Sequence, residues 1–169
     1  MSKGSRYELR QLNVNDGIDI YVMLQELGDD ENNFISGVCG KTFREFKGWL
    51  AQCEKLQSGT GDGDELMRQA NYWLYVEGRP VGYGMFRYDG QLYANGSNLK
   101  YCIRPTERSK GYGGVLLGML VDEAKRYCIK RLMLITENSN IRSLRVAMRN
   151  NGRIEKITDR HHYIWIDVE

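Results

Sequence analysis

Residues 103–114 read Ile-Arg-Pro-Thr-Glu-Arg-Ser-Lys-Gly-Tyr-Gly-Gly, and their flanks decide the fold. Just upstream, Leu99–Ile103 (LKYCI) has the length and apolar content of a short strand, and Pro105 ends it because proline cannot donate into a ladder. Downstream, from Gly111 to Cys128, the apolar residues Val115, Leu116, Met119, Leu120, Ala124 and Tyr127 recur with a helical period. Arg131–Ile135 (RLMLI) then forms a short continuous apolar run, as expected of a strand buried on both faces. Strand, glycine-rich loop, helix and strand make a βαβ unit, whose crossover is right-handed and sets its two strands parallel.

The same reading extends to the rest of the chain. Tyr7–Gln11 is a short edge strand. Asp16–Leu27 spaces Ile18, Ile20, Tyr21, Leu24 and Leu27 as a helix, with Asp16 as its N-cap. Thr42 precedes Glu45 by three residues, a capping box that opens a second helix running to about Gln57. Ser58–Asp64 (SGTGDGD) is a flexible loop. Tyr72–Glu77 and Val81–Tyr88 flank the Gly78-Arg79-Pro80 turn as a hairpin. A helix follows over Asn140–Asn150, then strands at Ile154–Ile157 and His162–Val168. The expected fold is α/β: one domain over residues 1–169, a mixed central sheet with helices on both faces.

Bulk properties narrow the function. Length and a charged fraction near one quarter fit one globular domain with its own core. The start lacks an apolar leader and no stretch is long enough to span a bilayer, so a cytoplasmic protein without a membrane partner is expected. Cys39, Cys53, Cys102 and Cys128 are scattered without a CxxC pair, and the neighbouring His161 and His162 point to opposite faces of a strand; neither set suits a metal. Residues 1–95 carry 10 Lys and Arg against 14 Asp and Glu, whereas residues 96–169 carry 14 against 8. The basic half suits an anionic ligand, and the acidic half suits a cationic or amine substrate. A nucleic-acid partner is not expected, because the aromatics do not interleave with the basic residues in a stripe.

The glycine loop carries the chemistry. Glycines let backbone approach a ligand, and the unpaired N–H groups of a first helical turn, with the helix dipole, form a phosphate site. Arg108 and Lys110 add positive charge. The P-loop pattern GxxxxGK[ST] is absent. The Rossmann pattern fails at its third glycine, where Leu116 stands.

Arg108-Ser-Lys-Gly111-Tyr-Gly113 instead resembles the acetyl-CoA signature R/Q-x-x-G-x-G/A of GNAT-type N-acetyltransferases. Tyr101-Cys-Ile-Arg-Pro105 is similar to the family's lead-in, Asn140-Ile-Arg-Ser143 to the N-x-x-S start of its next helix, and Tyr163-Ile-Trp165-Ile-Asp to the end of one bacterial subgroup. The resemblance implies acetyl-CoA as co-substrate, without a metal. It implies that the strand at Cys102 and Ile103 splays from its neighbour and pairs with the pantetheine arm. It also implies that the segment from Arg108 through Ser109, Lys110, Gly111, Tyr112, Gly113 and Gly114 holds the pyrophosphate, and that Asn140 and Ser143 lie on the arm. Relatives carry a tyrosine four residues after that serine, which protonates the leaving thiolate; Ala147 stands there. They also use a glutamate on a central strand as base, and LKYCI has none. Tyr101 is the nearest ionisable group, and an unperturbed tyrosine is a poor base at neutral pH. No catalytic residue is assigned.

The expected activity is acetyl transfer to a primary amine of a small molecule, an amino acid or a peptide N-terminus, by direct attack in a ternary complex. The alternative is a catalytically silent domain that binds or senses acyl-CoA. The family often pairs through its C-terminal strands, so a homodimer is a further expectation.

Overall fold

The computed structural model describes residues 6–31, 34–60 and 68–168, except the side chains of 29–31 and 35. In chain order the elements are β1 (Tyr7–Gln11), α1 (Ile18–Leu27), β2 (Asp29–Glu31), β3 (Phe34–Ile35), α2 (Phe43–Ser58), β4 (Gln69–Val76), β5 (Arg79–Arg87), β6 (Leu99–Ile103), α3 (Tyr112–Lys125), β7 (Arg131–Glu137), α4 (Ile141–Arg149), β8 (Arg153–Ile157) and β9 (His161–Asp167). Not legible in the sequence were the short paired strands β2 and β3 and a single 3-10 turn at Pro105–Glu107, each with too few residues to show a period. Of the Ser58–Asp64 loop, residues 61–64 lie outside the described residues.

The strands form two larger sheets, β1-β4-β5-β6 and β7-β9-β8, and every ladder among the described residues is antiparallel. The expected parallel ladder between β6 and β7 does not form. Asn98, the residue before β6, links to β7 through three hydrogen bonds: its N donates to Met133 O (3.2 Å), its Nδ2 donates to Arg131 O (3.2 Å), and its Oδ1 accepts from Met133 N (2.7 Å). Beyond it, among the described residues, the ladder of β6 is with β5 and that of β7 is with β9. The βαβ unit is present, but its strands part and leave a wedge between the sheets.

Alternation along β4 divides the core. Ala70, Tyr72, Leu74 and Val76 join one buried cluster with Leu116, Leu117 and Leu120 of α3, and Trp73 and Tyr75 join the other with α1 and α2. Helices therefore cover both faces, as the sequence implied. Close packing on the α3 face needs glycine: a Cβ on Gly84 would stand 2.4 Å from Leu120 Cδ1. The α2 capping box forms as expected, with Thr42 and Glu45 exchanging hydrogen bonds. The α1 cap does not. Gly17 is the N-cap, and Asp16 Oδ2 instead accepts from Asn13 N (2.8 Å) and Trp73 Nε1 (2.7 Å), tying the loop to the core.

Candidate active site

The segment between β6 and α3 is held by its own side chains. Arg104 is buried. Its Nε donates to Glu26 Oε2 at 2.7 Å and its Nη1 to Pro80 O at 3.1 Å. Thr106 N donates to Glu26 Oε1 at 3.0 Å, so the end of α1 is fastened to the end of β6. Glu26 is thus spent inside the fold, neither the solvated helix-end acid expected of it nor a free acid at the substrate lip that the family resemblance would place over Glu26, Asp29, Asp30 and Glu31; the side chains of the last three lie outside the described residues. Glu107, also buried, pairs with Lys110 Nζ (2.7 Å) and Arg79 Nη1 (3.1 Å). Arg108 Nε donates to Ile103 O (2.9 Å). Two residues expected to add charge to an anion site therefore use side-chain donors to shape the loop.

That shape exposes backbone. Ser109 (φ 62°) and Gly111 (φ 83°) are both left-handed, and Gly111 starts α3 without a side-chain cap. Alternating left-handed residues turn successive N–H groups to one side, forming an anion-binding concavity at the positive end of the helix. A Cβ on Gly111 or Gly114 would meet nothing within 4 Å, so the backbone here faces open space.

The loop opens into the wedge between β6 and β7, an open cleft of about 470 Å³. Of the eleven residues singled out in the sequence, Cys102, Ile103, Arg108, Ser109, Gly111, Tyr112, Gly113, Gly114, Asn140 and Ser143 all line it. Lys110 does not; its ammonium sits on Glu107. Tyr112 contributes backbone, since its buried ring packs edge-on against Tyr7. Asn140 is the N-cap of α4, with Oδ1 accepting from Ser143 N (3.1 Å); no hydrogen bond among the described residues engages its Nδ2.

Two features of the cleft, Thr136 and a row of arginines on α4, were not read from the sequence, and two that were, Tyr101 and Ala147, take definite places. Thr136 of β7 is 5% exposed, lines the cleft, and its Oγ1 has no hydrogen-bond partner among the described residues. An unsatisfied buried hydroxyl costs roughly 1–3 kcal/mol, so a ligand that satisfied it would gain. Tyr101 Oη lies 3.2 Å from Ser143 Oγ at the cleft wall, and burial pushes its phenol up to about 12. Ala147, where relatives carry the tyrosine, is fully buried and offers no donor. Finally, Arg142, Arg145 and Arg149 of α4 all line the cleft. Among the described residues Glu107 is the only carboxylate lining it, already in ion pairs, so the described lining is strongly cationic.

A second cavity of about 280 Å³ lies on the α2 side, walled by Trp49, Cys53, Tyr83, Met85 and Tyr93. Lys100 of β6 lines both cavities and so marks where they meet. Its Nζ lies 4.6 Å from the centre of the Tyr93 ring. Burial, together with the nearby Arg87 guanidinium, lowers its pKa. No group of three His, Cys, Asp or Glu side chains among the described residues could hold a metal ion, and no helix is long and apolar enough to cross a membrane.

The pattern of the acetyltransferase (GNAT) family matches residues 29–152. No curated protein matches the chain. Solved structures do. The acetyltransferase from Salmonella typhimurium that modifies the N-terminal serine of ribosomal protein L7/L12 superposes with a TM-score of 0.69 at 15% identity, covering 98% of this chain and 96% of that one. Campylobacter jejuni N-acetyltransferase PseH in complex with acetyl coenzyme A gives 0.61 at 12% identity, over 96% and 99%. A GNAT-family acetyltransferase described as putative, from Bordetella pertussis, gives 0.66 at 17% identity, over 97% of each.

Proposed function

Because the chain belongs to the acetyltransferase (GNAT) family, we propose that it transfers an acetyl group from acetyl-CoA to a primary amine of a small molecule, an amino acid or a peptide N-terminus, by direct attack in a ternary complex. The observation that carries this reading is the meeting, in one cleft, of the last strand of the first sheet, where it parts from β7, and a glycine-rich helix start without a side-chain cap. An extended arm of amides suits the first, and a pyrophosphate suits the second. On this reading the pantetheine arm runs along β6 at Cys102 and Ile103, in the cleft between β6 and β7. The amides from Ser109 to Gly114 hold the pyrophosphate, with Asn140 Nδ2 and Thr136 Oγ1 as further donors to the arm.

The acceptor enters from the α2 side through the smaller cavity and meets the thioester near Lys100. Its nitrogen attacks the thioester carbonyl, forming the C–N bond as the C–S bond breaks; water carries off the nitrogen's proton, and the sulfur leaves as a thiolate that accepts a hydrogen bond. Tyr101 is protonated at neutral pH and serves as a donor, not as a base. It is the phenol that stands in the cleft in place of the one absent at Ala147. The acyl group is already activated, so positioning the amine supplies most of the rate, up to roughly 7–11 kcal/mol.

A second reading, binding of acyl-CoA without turnover, draws on the buried Ala147 and on the lack of an unpaired carboxylate among the cleft-lining residues. Incubation with acetyl-CoA and a broad panel of amines, following thiol release and acetylated product by mass, separates the two. Product with any amine supports transfer; tight binding without product from any of them supports sensing.

A further inference from the structure

Resting on the acetyl-CoA reading, we infer that Arg145 and Arg149 form a site for the ribose 3′-phosphate of coenzyme A and make the protein selective for the 3′-phosphorylated cofactor. The two residues are four apart on α4, so their side chains emerge one above the other on one helix face, roughly 5–6 Å apart at Cβ. Both are exposed, both line the cleft, and neither has an acidic partner among the described residues.

Their position relative to the loop is fixed by packing. A Cβ on Gly113, in the first turn of α3, would stand 3.6 Å from Val146 Cγ2, and Asn150 Nδ2 donates to Gly114 O at 3.4 Å. The residues following Arg145 and Arg149 thus touch the two glycines whose amides would hold the pyrophosphate. A second phosphate group on the same ligand, one ribose away, falls within reach of side chains as long as arginine.

Charge supports the assignment. The pyrophosphate is served by backbone amides, and the loop's own cations are committed, Lys110 to Glu107 and Arg108 Nε to Ile103 O. The arginines of α4 supply charge that the pyrophosphate site does not require. Two guanidinium groups side by side match a dianionic phosphate monoester, which offers three oxygens to planar forks. A solvated helix face would instead intersperse carboxylates among these positions, and α4 (IRSLRVAMR) contains none.

Isothermal titration with coenzyme A and with 3′-dephospho-coenzyme A tests the inference, on the wild-type chain and on Arg145→Gln/Arg149→Gln, at two salt concentrations. The wild type is expected to bind coenzyme A on the order of tenfold more tightly than the dephospho form, and the gap narrows at high salt. The double variant is expected to lose that gap by weakening only for coenzyme A. Equal affinity of the wild type for both ligands overturns the inference and leaves the acyl-CoA reading intact. So does a variant that weakens for both ligands alike, which would place the arginines on the pyrophosphate. Binding of neither ligand by the wild type overturns the acyl-CoA reading itself, and this inference with it. Both arginines are exposed on α4, and matching melting temperatures without ligand show that the variant is folded.

Discussion

The Glu26 carboxylate on the last turn of α1 accepts a 2.7 Å hydrogen bond from Arg104 Nε, 78 residues away at the end of β6. This pair joins the helix on one face of the sheet to the loop that opens the cleft on the other. Burial raises the pKa of Glu26, but the Thr106 hydroxyl, the Arg104 guanidinium and the Thr106 amide outweigh it and hold it at about 2. A depressed folded-state pKa stabilises the protein above the ordinary carboxylate value of about 4.3; that stability is lost as pH falls toward about 2. Glu26→Gln is expected to cost about 3 kcal/mol at neutral pH, because it strands a buried guanidinium. Melting curves of both proteins from pH 7 to pH 2.5 should converge at the acid end; a constant gap would mean that the carboxylate's charge is not what matters.

Thr136 supports a prediction with opposite signs for stability and binding. Valine matches threonine in shape and removes the unsatisfied hydroxyl, so Thr136→Val should leave the ligand-free melting temperature unchanged or raise it. The same change should weaken acetyl-CoA about fivefold, the loss of one hydrogen bond of roughly 1 kcal/mol. Unchanged affinity in a stabilised variant would remove Thr136 from the list of arm donors.

Tyr101→Phe keeps the buried ring and deletes the phenol beside Ser143. If the phenol donates to the departing sulfur, turnover should fall by roughly 10- to 100-fold with little change in the KM for acetyl-CoA. With its proton held to about pH 12, no limb of the pH–rate profile below pH 10 should belong to this residue. A rise in KM at constant kcat would reassign Tyr101 to packing the arm.

The placement of α4, and so of its arginines, depends on Gly152. A Cβ there would stand 2.7 Å from Ala147 O and 2.8 Å from Ile164 Cγ2, so α4 and β9 would have to separate. Gly152→Ala should cost about 2 kcal/mol in denaturant unfolding, in the range of overpacked cores. It should also weaken acetyl-CoA. A destabilised variant with wild-type affinity would show that the cleft tolerates movement of α4.

The glycine loop was legible because its chemistry is local: a strand end, a proline, three glycines and a helical period lie within a few residues of one another. The wedge was not legible in the same way. Nothing in LKYCI or RLMLI says that two strands of a βαβ unit will part instead of forming a ladder; that expectation came only through the family resemblance. The arginines of α4 were passed over because charged residues on one helix face look like solvated surface until a neighbouring loop is packed beside them. The opposite error fell on Lys110, which looked like a phosphate ligand and is held by Glu107, three residues earlier. That Glu-x-x-Lys spacing was visible and was the available signal. Glu26 gave no signal at all, since its partner is 78 residues distant.

The central claim is that the cleft is a site for acetyl-CoA, and a thermal melt with acetyl-CoA, NAD and ATP in parallel tests it most directly. A ligand at 100 times its Kd adds about 2.7 kcal/mol, which for a chain of this length raises Tm by about 5 °C or more. Such a shift is expected with acetyl-CoA and not with NAD or ATP. No shift with acetyl-CoA, or an equal one with NAD, would contradict it.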